Sequence, residues 1–249
     1  MLQELKIIKH NGKQFIPDPT TAVVPSPFRG RPEISLEKVN EKDIVDCCPV
    51  NAIATNPFRI DLAKCCFCGE CAYWFPEKIK FTNDHRLASN SWELLMIKEG
   101  QNENIRLDQS LVREEIKKIF GRSLKLRQVS AGGDNSCEYE LNACGNANFD
   151  MGRYGIEFVA SPRHADGILV TGPITENMAE AIRIAYDAIP APKLFILCGT
   201  DAISGGIFAE SKALNRNILS EIPVDLYIPG NPSHPLTIIN GILDLIRRF

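Results

Sequence analysis

The chain has 249 residues, a formal net charge of −3, 44% hydrophobic and 24% charged residues. That balance excludes a mostly disordered chain. There is no basic block or base-stacking motif for nucleic acid, and no apolar run long enough to span a bilayer. Of nine cysteines, six fall between Cys47 and Cys71, and that clustering points to metal.

Residues 1–35 begin with the alternating segment Leu5-Lys6-Ile7-Ile8 and continue through Pro17, Pro19, Pro25, Pro27 and Pro32. Five prolines preclude a continuous helix, so an extended arm that wraps a neighbour or a partner is predicted. Phe15, Val23, Val24 and Phe28 give it apolar anchors. Nothing at the N-terminus reads as a signal peptide.

Residues 36–82 carry the densest signal. Cys65, Cys68 and Cys71 form C-x2-C-x2-C, the spacing that grips three corners of an iron–sulfur cube. In a paired-cluster run, the last Cys of C-x2-C-x2-C-x3-C-P serves the other cluster. Here the local fourth position is Phe75, followed by Pro76, while Cys48-Pro49 lies upstream. Counting back from Cys48, the first run's ligand positions fall on Lys38, Glu41 and Ile44. One complete set remains: Cys48, Cys65, Cys68 and Cys71. The expectation is a two-cluster ferredoxin-like unit, of α+β class, reduced to one 4Fe-4S cluster. Zinc is the lesser reading, because zinc ribbons use separated C-x2-C pairs. Cys47 and Cys66 read as small packed residues rather than ligands. Cys48-Pro49-Val50-Asn51-Ala52-Ile53 echoes Phe75-Pro76-Glu77-Lys78-Ile79-Lys80, each half being a helix that leads into a short strand. Phe75, helped by Ile44 and Trp74, is expected to fill the space of the lost cube.

Residues 83–120 read as a linker with a short strand, Leu94-Leu95-Met96-Ile97, and a helix from Asp108 to Phe120 capped by Asp108. Residues 121–249 alternate strands and helices. Strands are predicted at 124–129, 156–159, 167–171, 194–197 and 224–228. Helices are predicted from Cys137, from Thr175 with Met178, Ile182, Ala185, Tyr186 and Ile189 on one side, and from Pro235 with Ile238, Ile239, Ile242, Leu245, Ile246 and Phe249 as its stripe. Several strands are continuously apolar, so a parallel sheet covered on both faces is expected, with function at the strands' carboxyl ends.

The strand-end loops carry a family resemblance. Phe120-Gly121-Arg122-Ser123-Leu124, Tyr154-Gly155-Ile156, Ser161-Pro162-Arg163-His164-Ala165-Asp166, Val170-Thr171-Gly172-Pro173, Gly205-Gly206-Ile207-Phe208 and Pro229-Gly230 with His234-Pro235-Leu236 resemble the small subunit of membrane-bound NiFe hydrogenases of the formate-hydrogenlyase (hydrogenase-4) type. That family also includes the 20 kDa subunit of complex I, the NADH:ubiquinone oxidoreductase. Phe28-Arg29-Gly30-Arg31-Pro32-Glu33-Ile34 is similar to the ferredoxin-type subunit of the same complexes. The chain therefore resembles a fusion of two neighbouring subunits.

The resemblance implies a flavodoxin-like α/β domain over 121–249. It also implies partnership with a hydrogenase- or complex I-type large subunit and membrane subunits, and exchange with a ferredoxin or other carrier. Localisation would be cytoplasmic and peripheral on the inner membrane through those partners. The family's second 4Fe-4S site uses four cysteines, and the matching positions here are Asp134, Cys137, Asp201 and Asn231. Three of four thiolates are missing, so that site is read as degenerate and as an empty, hydrogen-bonded polar pocket. Glu140 matches an acidic residue that in the family lies near the large subunit's active site. Arg163 and His164 match a loop beside the family's cluster. These three are carried as proton or interface positions. The function expected is a non-catalytic electron-transfer subunit with one 4Fe-4S cluster. The alternative is a structural subunit that no longer conducts electrons to a NiFe or quinone site.

Overall fold

The computed structural model describes residues 2–12 and 14–246. Phe249, which the sequence places on the last helix's stripe, lies outside the described residues. The chain opens with a helix, α1 (Leu2–Asn11), whose residues are all exposed. An extended arm from the first residue is therefore wrong over this stretch. No proline occurs before Pro17, and Leu, Gln, Glu and Lys are good helix formers. Beyond it the arm is extended and wraps this same chain. The Ile16 N–H donates to the Asn148 carbonyl at 2.8 Å, and Asn83 Nδ2 donates to the Val24 carbonyl at 2.7 Å. Asn240 Nδ2 donates to the Pro19 carbonyl at 2.6 Å, with the buried His85 ring 3.0 Å from the same oxygen.

The cysteine-bearing stretch runs β1 (Pro32–Ile34), α2 (Glu41–Asp46), β2 (Ile53–Ala54), β3 (Arg59–Asp61), α3 (Glu70–Trp74) and β4 (Ile79–Phe81). Its order is β-α-β-β-α-β, with β1 antiparallel to β4 and β2 antiparallel to β3. The two repeated segments thus do each join a helix to a short strand. Next, β5 (Met96–Lys98) pairs with β3. A 3₁₀ turn at Glu93–Leu95 replaces the first half of the strand expected there. Ser89 makes an antiparallel bridge with Tyr227 and covers a sheet edge that would otherwise be open. The helix expected from Asp108 is shorter, α4 (Glu114–Ile119). Asp108 instead closes a local turn by accepting from the Ser110 N–H at 2.9 Å, so the chain enters the helix only after Arg113. Val112, Ile116 and Phe120 are buried, while Leu111 and Ile119 face solvent.

The second half builds β6 (Leu124–Ser130), α5 (Ser136–Cys144), β7 (Ile156–Phe158), β8 (Gly167–Thr171), α6 (Glu176–Asp187), β9 (Leu194–Cys198), α7 (Thr200–Ser204), α8 (Ile218–Glu221), β10 (Leu226–Ile228) and α9 (Pro235–Leu245). The sheet is parallel throughout, in the order β10-β9-β8-β6-β7. This is the flavodoxin-like α/β order, and its switch point lies between β6 and β8. The central strands β8 and β9 are buried along their whole length, as their unbroken apolar sequences require.

Side chains alternate across them. Ile168, Val170, Phe195 and Leu197 face one core. Leu169, Leu194, Ile196 and Cys198 face the other, with α5 and α9. The first of these cores is continuous with the cysteine-bearing half: Ile34, Ile44, Phe58, Ile60, Leu62 and Leu95 belong to the same cluster as Ile168, Val170 and Phe195. At the switch point the loops after β6 and β8 touch through backbone. Gly172 has φ +76°, and a Cβ there would stand 2.5 Å from the Gly133 nitrogen.

Lys78 is a buried cation in the first half. Its ammonium donates to the Ser35 and Glu37 carbonyls at 2.9 and 2.8 Å and pairs with the Glu99 carboxylate. Replacing it by Met leaves two carbonyls and a half-buried carboxylate without their donor. Lys78→Met should lower unfolding stability by about 2–4 kcal/mol in denaturant titration, whereas Lys125→Met, which breaks a surface pair with Glu157, should change it by less than about 1 kcal/mol.

Candidate metal centre

Cys48, Cys65, Cys68 and Cys71 line one largely apolar cavity, walled by Val50, Ile53, Ile60 and Phe81. Cys48 follows α2, Cys71 lies in the first turn of α3, and Cys65 and Cys68 sit on the loop between β3 and α3. Two backbone donors already point at sulfur. The Ala52 N–H reaches Cys48 Sγ at 3.2 Å and the Phe67 N–H reaches Cys65 Sγ at 3.4 Å. The loop turns inward through two left-handed residues, Phe67 at φ +54° and Gly69 at φ +83°. A bulky residue in that region is strained. Phe67 is held there by Arg29, whose Nε donates to its carbonyl at 2.6 Å.

Cys65 and Cys71 are buried and Cys68 is exposed. Burial pushes the Cys65 thiol well up. It also pushes the Cys71 thiol up to about 12, reinforced by the neighbouring sulfurs of Cys47, Cys68 and Cys48. Four thiolates gathered this closely repel one another, and a cationic cluster core is the group that relieves this. Among the described residues, no three His, Cys, Asp or Glu side chains are arranged around a single metal ion. A cube spreads its four thiolates over four irons, so it asks for a wider cage than one zinc does. The donor set, the apolar walls and the N–H···S bonds fit a cube.

Cys47 and Cys66 also reach this cavity. The Cys47 thiol donates to the Ile44 carbonyl at 3.1 Å, which commits it to α2. Ile44 is fully buried, and Phe75 is partly buried against the same core. Trp74 does not take part. It is 63% exposed and stacks edge-on with Tyr73, because α3 turns that face outward.

The second constellation lies at the carboxyl ends of the sheet. Asp201 comes within electrostatic range of both Asp134 and Cys137, whereas Asn231 lines a cleft with Arg29 and His234. Asp134 is exposed; the Ser136 hydroxyl chiefly holds its pKa down, helped by the Ser136 N–H, which its carboxylate accepts at 2.9 Å. Cys137 is buried over Gly199, where a Cβ would stand 2.5 Å from its sulfur. A hydrogen bond with Cys198 lowers the Cys137 pKa. Asp201 is 8% exposed, and its Oδ1 has no hydrogen-bond partner among the described residues. Burial first, then Asp134, raises its pKa to about 6; Arg216 opposes this and Glu138 adds to it.

Four participants were not picked out from sequence for these roles. Glu138 accepts from the Thr171 hydroxyl at 2.7 Å. Arg216 donates to the carbonyls of Pro173, Asp201, Ala202 and Ile203 and so closes the end of α7. The Thr200 hydroxyl donates to the Cys65 carbonyl at 2.9 Å, with the Gly230 carbonyl at 3.2 Å. Arg29 grips the cysteine loop. Glu138 beside Cys137 and Thr200 after Cys198-Gly199 carried a positional signal; Arg216 carried none. Of the other carried-over positions, Glu140 is half-buried on α5 with its pKa raised by burial. Arg163 and His164 are exposed in the turn just before β8, at the amino end of that strand.

A parallel sheet of this order, with a polar constellation at its switch point, defines a flavodoxin-like α/β protein. Comparison with known proteins then assigns the family. The family described as NADH ubiquinone oxidoreductase, 20 kDa subunit, matches residues 135–245. A probable membrane-bound hydrogenase subunit of Pyrococcus furiosus is 36% identical over 150 residues, which is 60% of this chain and 89% of that protein. An NADH-quinone oxidoreductase subunit of Heliobacterium modesticaldum is 37% identical over 152 residues, 60% of this chain and 86% of that protein. A chain in the structure of the membrane-bound sulfane sulfur reductase, an archaeal respiratory membrane complex, is 31% identical, covers 51% of this chain and 70% of that one, and has a TM-score of 0.45. The chain belongs to the NADH ubiquinone oxidoreductase 20 kDa subunit family.

The raised Asp201 pKa has a stability consequence. The folded carboxyl holds its proton up to about 6, against an ordinary value of 3.8, so its ionisation opposes folding. Its contribution should be neutral below about pH 4 and increasingly destabilising as pH rises toward 6. Asp201→Asn should therefore be more stable than the parent by about 1–2 kcal/mol at pH 7.5 and no more stable at pH 4, as measured by denaturant unfolding at both pH values.

Proposed function

We propose that this chain is an electron-transfer subunit of a hydrogenase-like or complex I-like oxidoreductase, carrying one 4Fe-4S cluster in a ferredoxin-like unit formed by residues 36–82. The observation that carries this reading is the single apolar cavity lined by Cys48, Cys65, Cys68 and Cys71, with the N–H groups of Ala52 and Phe67 aimed at two of its sulfurs. Bound there, a cubane supplies a one-electron reservoir. The thiolates would fix its position, and the apolar walls would keep water from the buried sulfurs of Cys65 and Cys71. The two N–H donors favour the more negative, reduced state. No general acid or base is needed in this chain.

The cavity has two sides. Cys68 opens to solvent, the side from which a carrier such as a ferredoxin would exchange an electron. Cys65 is bonded through its carbonyl to Thr200 at the sheet's carboxyl edge, where a large subunit of the hydrogenase or complex I type would dock. The printed names of two relatives, a probable membrane-bound hydrogenase subunit and an NADH-quinone oxidoreductase subunit, support that assembly. Among the described residues no helix is long and apolar enough to cross a membrane, so a peripheral place on the cytoplasmic face of the inner membrane would come through membrane subunits.

A second reading is favoured by one observation. Asp134, Asp201 and Asn231 stand where the resemblance calls for thiolates, and oxygen and amide ligands hold a cube poorly. If no cluster follows the first, the chain is a docking subunit whose cube stabilises the fold or exchanges electrons elsewhere.

Anaerobically purified protein should carry about four irons and about four labile sulfides per chain. Cys68→Ser should lose most of that iron, whereas Cys47→Ser should keep it. A count near eight, or equal loss in both variants, would sink this assignment of ligands.

A further inference from the structure

Helix α1 (Leu2–Asn11) turns an apolar side to solvent. We propose that this side lies on an anionic lipid surface, a contact made by the chain itself and additional to any made through membrane subunits.

No residue of α1 is buried. Leu2, Leu5 and Ile8 recur at every third position and so fall on one side of the helix. They are 77, 56 and 65% exposed. Ile7 falls on the opposite side. An isolated helix shorter than about 12–15 residues is marginal in water, so α1 gains stability from whatever covers its apolar side. The helix has a defined end: Gly12 has φ +61°, and its N–H donates to the Ile8 carbonyl at 3.1 Å. Four residues later the chain is fixed to the body. The Ile16 N–H donates to the Asn148 carbonyl at 2.8 Å, Arg153 donates to the Ile16 carbonyl, and its guanidinium lies 5.0 Å from the centre of the Phe15 ring. A short connection therefore holds α1 beside the body, and α1 buries none of its own side chains there.

Charge decides what covers it. Residues 1–16 contain Lys6, Lys9 and Lys13 against Glu4 alone, in a chain whose net charge is −3. An anionic surface would attract this end and repel the more acidic remainder. Lys6 and Lys9 run along one border of the Leu2-Leu5-Ile8 stripe. There their stems can follow the apolar boundary while the ammonium groups reach lipid phosphates. Three aliphatic side chains without an aromatic anchor suit a fluid hydrocarbon boundary, which asks for no shaped pocket. The residues matched to the family, 135–245, do not include this helix. Nothing in the contact depends on the iron–sulfur cluster, so its failure and failure of the electron-transfer reading are separate results.

Flotation of the full, anaerobically purified chain with vesicles tests it. One set is phosphatidylcholine with about one-third phosphatidylglycerol, the other phosphatidylcholine alone. The chain should bind the anionic vesicles several-fold more strongly, and less so as salt is raised. Leu5→Gln combined with Ile8→Gln should weaken that binding by about tenfold or more. Lys6→Gln combined with Lys9→Gln should weaken it by about tenfold and remove most of the salt dependence. Ile7→Gln should change it by less than about twofold. Iron content and melting temperature should stay unchanged in all three variants, because α1 buries no residue. Absence of binding to the anionic vesicles would leave α1 to a protein groove and overturn the proposal. Equal binding to the two vesicle types, or a loss in Ile7→Gln as large as in the Leu5 and Ile8 pair, would overturn it as well.

Discussion

The hydrogen bond from the Thr200 hydroxyl to the Cys65 carbonyl joins the two halves of this molecule at the point where chemistry is expected. Thr200 opens α7 directly after β9, so its position is fixed by a strand buried along its whole length. Cys65 opens the Cys65–Cys71 segment, which carries three of the four candidate ligands. One hydroxyl thereby sets the cysteine cavity against the carboxyl edge of the parallel sheet. The apolar core that runs from Ile44 and Leu62 to Val170 and Phe195 makes that placement rigid. Arg29 adds a second restraint from the arm, holding Phe67 in a left-handed conformation. Together these contacts tie the cysteine loop to the sheet.

The strand-end constellation shows the electrostatic cost of gathering carboxylates. A cluster core would neutralise negative ligands. Here Asp134, Glu138 and Asp201 stand near one another with Arg216 as the nearby cation, and Arg216 spends its donors on four backbone carbonyls. The local answer is proton uptake: Asp201 holds its proton toward neutrality.

Much of the architecture was legible in the sequence because its signals are local. Unbroken runs such as Ile168-Leu169-Val170 and Leu194-Phe195-Ile196-Leu197 can satisfy their apolar surface only between two covered faces. The Cys48-Pro49 and Phe75-Pro76 echo announced two helix-to-strand units. Signals that depend on tertiary placement were not legible. Nothing local says that Arg216 would close α7, that Thr200 would reach Cys65, or that the Pro19 carbonyl would be taken up by Asn240. The helix at Leu2–Asn11 escapes a reading in which prolines farther along speak for a proline-free segment. Asp108 has the chemistry of a cap, yet its side chain folds back on Ser110. Trp74 has the bulk for a packing role that the outward face of α3 denies it.

The most direct test of the central claim is the spin count of the dithionite-reduced, anaerobically purified chain by electron paramagnetic resonance. One cube held by Cys48, Cys65, Cys68 and Cys71 predicts a single signal of the reduced cubane type that integrates to about one spin per chain and disappears in Cys68→Ser. Two interacting signals, or one that survives that replacement, would contradict it.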